Sequence, residues 1–200
     1  MNEIKIFDLW PTEDIIVNDP GLKKYINLDV KIFPRTFGRD SKKQFHKSKM
    51  NIIERFITRL MVPGHRGKKH VISSGRIVGE YFTIYNIVKS VFENIEKSTK
   101  KNPIEVFVRA IENAALREEI AAYQVGGIIV RRAVITSPQR RVDMALRNIT
   151  QASYRKAFGK KENITNALTN EIVAAYNNDA SKSDSIRERD RIEKEAEGAR

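Results

Sequence analysis

The sequence predicts a mainly α fold: a helical, bundle-like domain preceded by an extended N-terminal segment. Three observations carry this. Apolar residues recur at helical spacing from Met50 and in several later stretches. Asn102-Pro103 and Ser137-Pro138 both pair a capping residue with proline at a first helical position. Before residue 45, Pro11, Asp19-Pro20-Gly21 and Pro34 break every periodicity.

Residues 1–45 therefore read as an N-terminal extension, 46–180 as the helical domain and 181–200 as a charged C-terminal helix or tail. In the first helix, Ile53, Phe56, Ile57, Leu60 and Met61 form a stripe at i, i+3, i+4, i+7 and i+8, with Arg55 and Arg59 on the other side. Pro63-Gly64 ends it, and His65 to His70 reads as a loop. The next helix, from about Arg76 to Lys97, is apolar almost all round, which predicts a central helix covered by its neighbours. Asn102-Pro103 opens a third, whose Ile104, Phe107, Val108, Ile111 and Ala115 share a face.

Ser137-Pro138 opens a fourth that runs to about Phe158, with Val142, Ala145, Leu146, Ile149 and Ala152 inward and Gly159 as its stop. Ile164, Leu168, Ile172 and Tyr176 mark a fifth. From Ser183 the chain is helical by propensity, with Ile186 and Ile192 as its only bulky apolar residues. The stretch from Leu116 to Ile135 supports two readings. Propensity extends the preceding helix through Ala122, whereas Gly126-Gly127 between Tyr123-Gln-Val125 and Ile128-Ile-Val130 signals a β-hairpin.

Charge points to a partner. Between Lys31 and Arg76 stand thirteen lysines and arginines against Asp40 and Glu54, nearly all of the chain's net +12. A cationic block of this density implies a polyanion, because neutralised phosphates release condensed counterions. Basic clusters recur at Lys42-Lys43, Lys47, Lys49, Arg66, Lys68-Lys69, Arg131-Arg132, Arg140-Arg141 and Arg155-Lys156. Arg140 and Arg141 fall in a first helical turn, where the macrodipole disfavours cations and a helix N-terminus attracts anions.

Other chemistries find no support. The chain has no cysteine, which excludes disulfides, thiolate zinc sites and cysteine nucleophiles. His46, His65 and His70 lie within the basic block with no carboxylate at ligand spacing. Glu118-Glu119 are adjacent and diverge in a strand or helix alike, so a solvated turn or a partnership with nearby arginines is expected rather than an acid–base pair. No phosphate-cradling glycine motif and no nucleophile elbow occurs. Neither a metal nor a cofactor is expected. Without an apolar run of roughly 20 residues, no bilayer span is expected either.

Several stretches, taken in order, resemble a known family: Asp19-Pro-Gly-Leu-Lys-Lys-Tyr-Ile-Asn-Leu28, Met50-Asn-Ile-Ile-Glu-Arg55, Gly67-Lys-Lys69, Lys101-Asn-Pro-Ile-Glu-Val-Phe-Val108, Ala110-Ile-Glu-Asn-Ala114, Arg117-Glu-Glu119, Val125-Gly-Gly127 and Ser137-Pro-Gln-Arg-Arg-Val-Asp-Met-Ala-Leu-Arg147. Together they resemble the small-subunit ribosomal protein seven family in its archaeal/eukaryotic form. The resemblance implies a β-hairpin, at about residues 117–135, protruding between two helices. It implies a non-enzymatic ribosomal protein that binds the 3′ major domain of small-subunit rRNA and nucleates assembly of the head. The exit-site tRNA and mRNA would lie nearby, with ribosomal proteins of the head and platform as neighbours, in the cytoplasm.

By position, Lys42, Lys43, Lys47, Lys49, Arg66, Lys68, Lys69, Arg140, Arg141, Arg155 and Lys156 are the expected rRNA contacts. Gly126, Gly127, Arg131 and Arg132 would reach the exit-site region. Where the family usually has the proline that starts the hairpin, this chain has Leu116. The alternative is a helical DNA-binding regulator. Helix-turn-helix docking needs a short turn and a polar recognition helix. The helix from Arg76 is too apolar for that role.

Overall fold

The computed structural model describes residues 4–31, 35–39, 41–63 and 79–200. Among these, the elements in chain order are α1 (His46–Lys49), α2 (Ile52–Leu60), α3 (Tyr81–Thr99), α4 (Pro103–Ala114), β1 (Glu118–Val125), β2 (Ile128–Ile135), α5 (Pro138–Ala157), α6 (Ile164–Tyr176) and α7 (Asp184–Glu197). The fold is mainly α, with one two-stranded antiparallel hairpin between α4 and α5. The loop expected at 65–70, and residues 76–78 of the helix expected from Arg76, lie outside the described residues.

Local chemistry starts and stops these helices where the sequence suggests. Asn51, Asn102 and Asn163 each accept a hydrogen bond from the backbone N–H two residues on, satisfying a donor that the helix leaves unpaired. Pro103 and Pro138 occupy first helical positions, and Gly159 follows α5 at φ 68°.

The central helix is α4, not α3. Ile104, Val106, Phe107, Val108, Ala110, Ile111 and Ala114 are all buried, and α4 packs against α3, α5, α6 and α7. The small residues Ala110 and Ala114 admit close neighbours on the side that the large residues do not cover. On α3 only Tyr81, Val88, Val91, Phe92 and Ile95 are buried, and Phe82 is 71 % exposed. The core runs through an aromatic chain, with Phe56 to Phe107 at 4.7 Å and Phe107 to Phe92 at 5.6 Å between ring centroids.

Residues 4–31 contribute to that core despite their lack of period. Ile6, Phe7, Trp10, Leu22 and Ile26 are buried. Phe7 lies 4.6 Å from Tyr85 and 5.9 Å from Phe92, and the Trp10 indole donates to Glu96 at 3.1 Å. Glu112 of α4 accepts from the backbone N–H of Asn18 and Asp19 at 2.6 and 2.9 Å. At the other end of the chain, α7 buries Ile186 and Ala196. It is anchored by Glu171, a fully buried carboxylate that accepts from Ser183 Oγ at 2.7 Å, Ser185 N at 2.9 Å and Lys156 Nζ at 2.6 Å.

The hairpin resolves the ambiguity at residues 116–135. α4 stops at Ala114, Ala115 takes extended backbone, and Leu116 is fully buried. The Arg117 carbonyl accepts from Thr136 N at 2.9 Å, and the Arg117 N–H donates to Glu193 at 2.8 Å. Those bonds replace the helical ones, so tertiary pairing overrides propensity. The register pairs Glu118 with Ile135 through to Val125 with Ile128. Gly126 and Gly127 turn the chain with φ of 56° and 85°, the doubly positive geometry that favours a tight hairpin turn.

Candidate nucleic-acid interface

The cations sort into two groups by what they touch. Lys42, Lys43, Lys47 and Lys49 are exposed along the segment that leads into and forms α1. Arg131 and Arg132 are exposed on the hairpin, opposite Ala122 and Ala121 in the register, and so lie on its two faces. Gly126 and Gly127 form the exposed tip. Arg66, Lys68 and Lys69 lie outside the described residues.

A second group is held within the fold. Arg141 donates to Asp19 at 2.7 Å and to the Leu116 carbonyl at 3.1 Å, which joins the N-terminal segment, the hairpin base and α5. Arg140 makes a two-pronged pair with Glu119, both contacts 2.6 Å, and that bonding raises its pKa. These carboxylates meet the cost of placing cations in the first turn of α5. Lys156 is committed to Glu171 and to the Lys182 carbonyl. Arg155 turns back on the Gln151 carbonyl at 3.4 Å. Glu118 and Glu119 do serve as arginine partners, Glu118 with Arg200 at 2.6 Å.

Between these groups opens a cleft of about 910 Å³, walled by residues 35–38, Ser41, α1, α2 and the first half of α5. Six cationic side chains line it (Arg35, Lys47, Arg55, Arg59, Arg140 and Arg147) against the carboxylates Glu54 and Asp143. Both acids are engaged. Glu54 accepts from Thr36 N at 2.6 Å and Thr36 Oγ1 at 2.8 Å. Asp143 holds Arg55 at 2.9 Å and Lys47 at 3.4 Å.

Arg55, expected on the solvated side of α2, is therefore buried, because Asp143 and the Tyr25 carbonyl receive its guanidinium. Arg35 stacks between Phe37 and Tyr81, 4.8 and 4.6 Å from their centroids. Burial pushes the Tyr81 hydroxyl up to about 12. Burial, and then the charge of Arg147, lower the Arg59 pKa against the opposing pull of Asp143. The one-turn spacing of Arg55 and Arg59 was the sequence signal for this wall. Nothing in the sequence brings Arg35 or Arg147 to it. Among the described residues, no group of acids and histidines could hold a metal, and no helix is long and apolar enough to cross a membrane.

Fold and surface define a class: a strongly basic, mainly helical protein with one projecting hairpin and a cationic cleft beside it. Comparison with known sequences gives the family. Residues 22–200 match the model for ribosomal protein S7p/S5e. The small ribosomal subunit protein uS7 of Nanoarchaeum equitans is 46 % identical over 198 residues, covering 99 % of this chain and 100 % of the relative. Its counterpart in Archaeoglobus fulgidus is 42 % identical over 198 residues, covering 99 % of this chain and 96 % of the relative. The chain belongs to the ribosomal protein S7p/S5e family. That membership gives no support to a DNA-binding regulator.

Proposed function

We propose that this protein is a structural constituent of the small ribosomal subunit. It binds the 3′ major domain of the subunit's rRNA, nucleates assembly of the head and lies near the exit-site tRNA and mRNA. It works in the cytoplasm, beside ribosomal proteins of the head and platform, without catalysing a reaction. Its mechanism is positioning. A rigid helical core carries exposed lysines at 42–49, the hairpin and the cleft against folded RNA, where shape and phosphate contacts decide specificity. Arg66, Lys68, Lys69, Arg155 and the exposed face of Arg140 add to this surface, and the hairpin tip, with Arg131 and Arg132, reaches the exit-site region. Arg141 and Lys156 hold the surface in shape from within.

The observation that carries the reading is the separation of roles among the cations. Arg55, Arg140, Arg141 and Lys156 are matched by carboxylates within the fold, while Lys42, Lys49, Arg131 and Arg132 are exposed on the 42–49 segment and the hairpin. The test is binding to a transcript of the 3′ major domain across a salt series, with duplex DNA and an unrelated structured RNA as competitors. Binding that survives both at physiological salt supports the reading. Equal competition by all three leaves a generic polycation and ends it.

A further inference from the structure

We propose that Arg59 and Arg147 form a phosphate-binding site in the cleft between α2 and α5, where one phosphate of an RNA backbone is clamped between the two guanidinium groups. The inference rests on the rRNA-binding reading for the identity of the polymer, and on the cleft alone for the anion.

The Nε of Arg59 is buried and has no hydrogen-bond partner. Buried donors are nearly always satisfied, so an orphan on a cation that lines an open cleft asks for an acceptor from outside. Arg147, on the facing helix, has no ion pair among the described residues, and its charge acts on Arg59. Both guanidinium-bearing side chains line the same cleft, and Asp143 is the carboxylate that acts on Arg59 there. The carboxylates that line the cleft make their hydrogen bonds elsewhere, Glu54 with Thr36, and Asp143 with Arg55 and Lys47.

A fold that only needed stability would place an acid or an apolar residue at one of these positions. A phosphate satisfies both guanidiniums at once, since each presents a planar fork that matches two oxygens. The cleft holds about 910 Å³, room for a phosphate with its flanking riboses. Lys47, half exposed at the cleft, provides further positive field to draw the anion in.

The test uses the full chain with Arg59→Met, Arg147→Met and the double substitution, and with Arg131→Met/Arg132→Met as a control on the hairpin. Two probes are read. In the first, inorganic phosphate replaces chloride at constant ionic strength and the thermal midpoint is followed. In the second, the 3′ major domain transcript is titrated across a salt series. The wild type should gain midpoint in phosphate, and the cleft double variant should lose that gain while the hairpin control keeps it. The salt slope of transcript binding should fall by about one unit in the cleft variant, the loss of one phosphate contact.

Arg147→Met should not lower the midpoint in chloride, because it removes a repulsion, and that outcome excludes a merely structural role. Should Arg59→Met fail to fold, Arg59→Lys keeps the charge and loses Nε, and should lose the phosphate gain. An unchanged gain and slope in the double variant, with wild-type binding to the transcript intact, would overturn the site and leave the rRNA reading standing. A wild type that prefers no RNA yet loses its phosphate gain on substitution would do the reverse.

Discussion

The guanidinium of Arg55 meets the carboxylate of Asp143 at 2.9 Å, with the arginine side chain 4 % exposed and the aspartate 38 % exposed. This contact ties α2 to α5 and closes the floor of the cleft. Removing one partner leaves a buried charge uncompensated, whereas removing both leaves an apolar gap that packing can absorb. Asp143→Asn is expected to destabilise the fold by about 2 kcal/mol, less than for a fully buried pair because Asp143 is open to solvent. Arg55→Met/Asp143→Leu should recover most of that loss. Urea unfolding of the three variants checks this, and a double variant weaker than Asp143→Asn would show that the pair itself is a net stabiliser.

Glu171 makes acid stability a local property of the α5–α6–α7 junction. Burial acts to raise its pKa, but hydrogen bonds from Lys156, Ser183 and the Ser185 backbone outweigh burial and hold it below the ordinary 4.5. With a folded-state pKa below the unfolded one, the carboxylate contributes stability above pH 4.5. That contribution is lost as pH falls through the lower folded value. At neutral pH Glu171→Gln should cost about 2 kcal/mol, since Lys156 loses its partner. The gap between wild type and variant should narrow as the pH drops below 4.5. Denaturation curves at a series of pH values measure it, and a constant gap would reject the assignment.

Trp10 is the single tryptophan of the chain and is 4 % exposed, so its fluorescence reports how the N-terminal segment packs on α3. Phe7 touches both Trp10 and Phe92 at 5.9 Å. Phe7→Ala should cost about 3 kcal/mol. It should also shift Trp10 emission to the red at temperatures where the helical circular dichroism is unchanged. Emission already characteristic of water in the wild type, without RNA, would mean that this layer is not packed in solution.

Gly127 sits at φ 85° with nothing within 4 Å of where a Cβ would stand. Gly127→Ala therefore tests backbone geometry alone. Left-handed backbone costs an alanine about 1 kcal/mol, roughly a fivefold change in the local opening equilibrium. Amide exchange across residues 122–131 should quicken by about that factor, with the global urea midpoint unmoved, since the tip rests on nothing else. Gly127→Asn, which tolerates the left-handed region, should be milder. A drop in global stability would place the tip within the cooperative core.

Helix boundaries were legible wherever the signal was local. Asn102 and Pro103 announce α4, and Pro138 announces α5, because caps and prolines act within a few residues. The rank of the helices was less legible. α3 looked central because its apolar residues surround it, yet Phe82 faces solvent, while α4 hides its burial in Ala110 and Ala114. The N-terminal core contacts could not be read at all, since Phe7 and Asp8 adopt φ of 55° and 61° and so leave no period to detect.

The surface followed the same rule. Exposed cations at 42–49 and on the hairpin stand out in the sequence by density. Arg140 and Arg141 were visible as misplaced charges, but their partners Glu119 and Asp19 are set by folding rather than by spacing. Arg147 reads as one more surface arginine until α2 is laid beside α5.

The bond between Asp19 and Arg141 spans 122 residues of chain. A polypeptide emerging at about 5–20 residues per second exposes Asp19 for roughly 6–24 s before Arg141 is made. Over that interval Glu112 of α4 can already receive the backbone N–H groups of Asn18 and Asp19, but the tie to α5 is missing. The segment that is made first is thus among the last to be locked in place, and the lock closes with the first turn of α5.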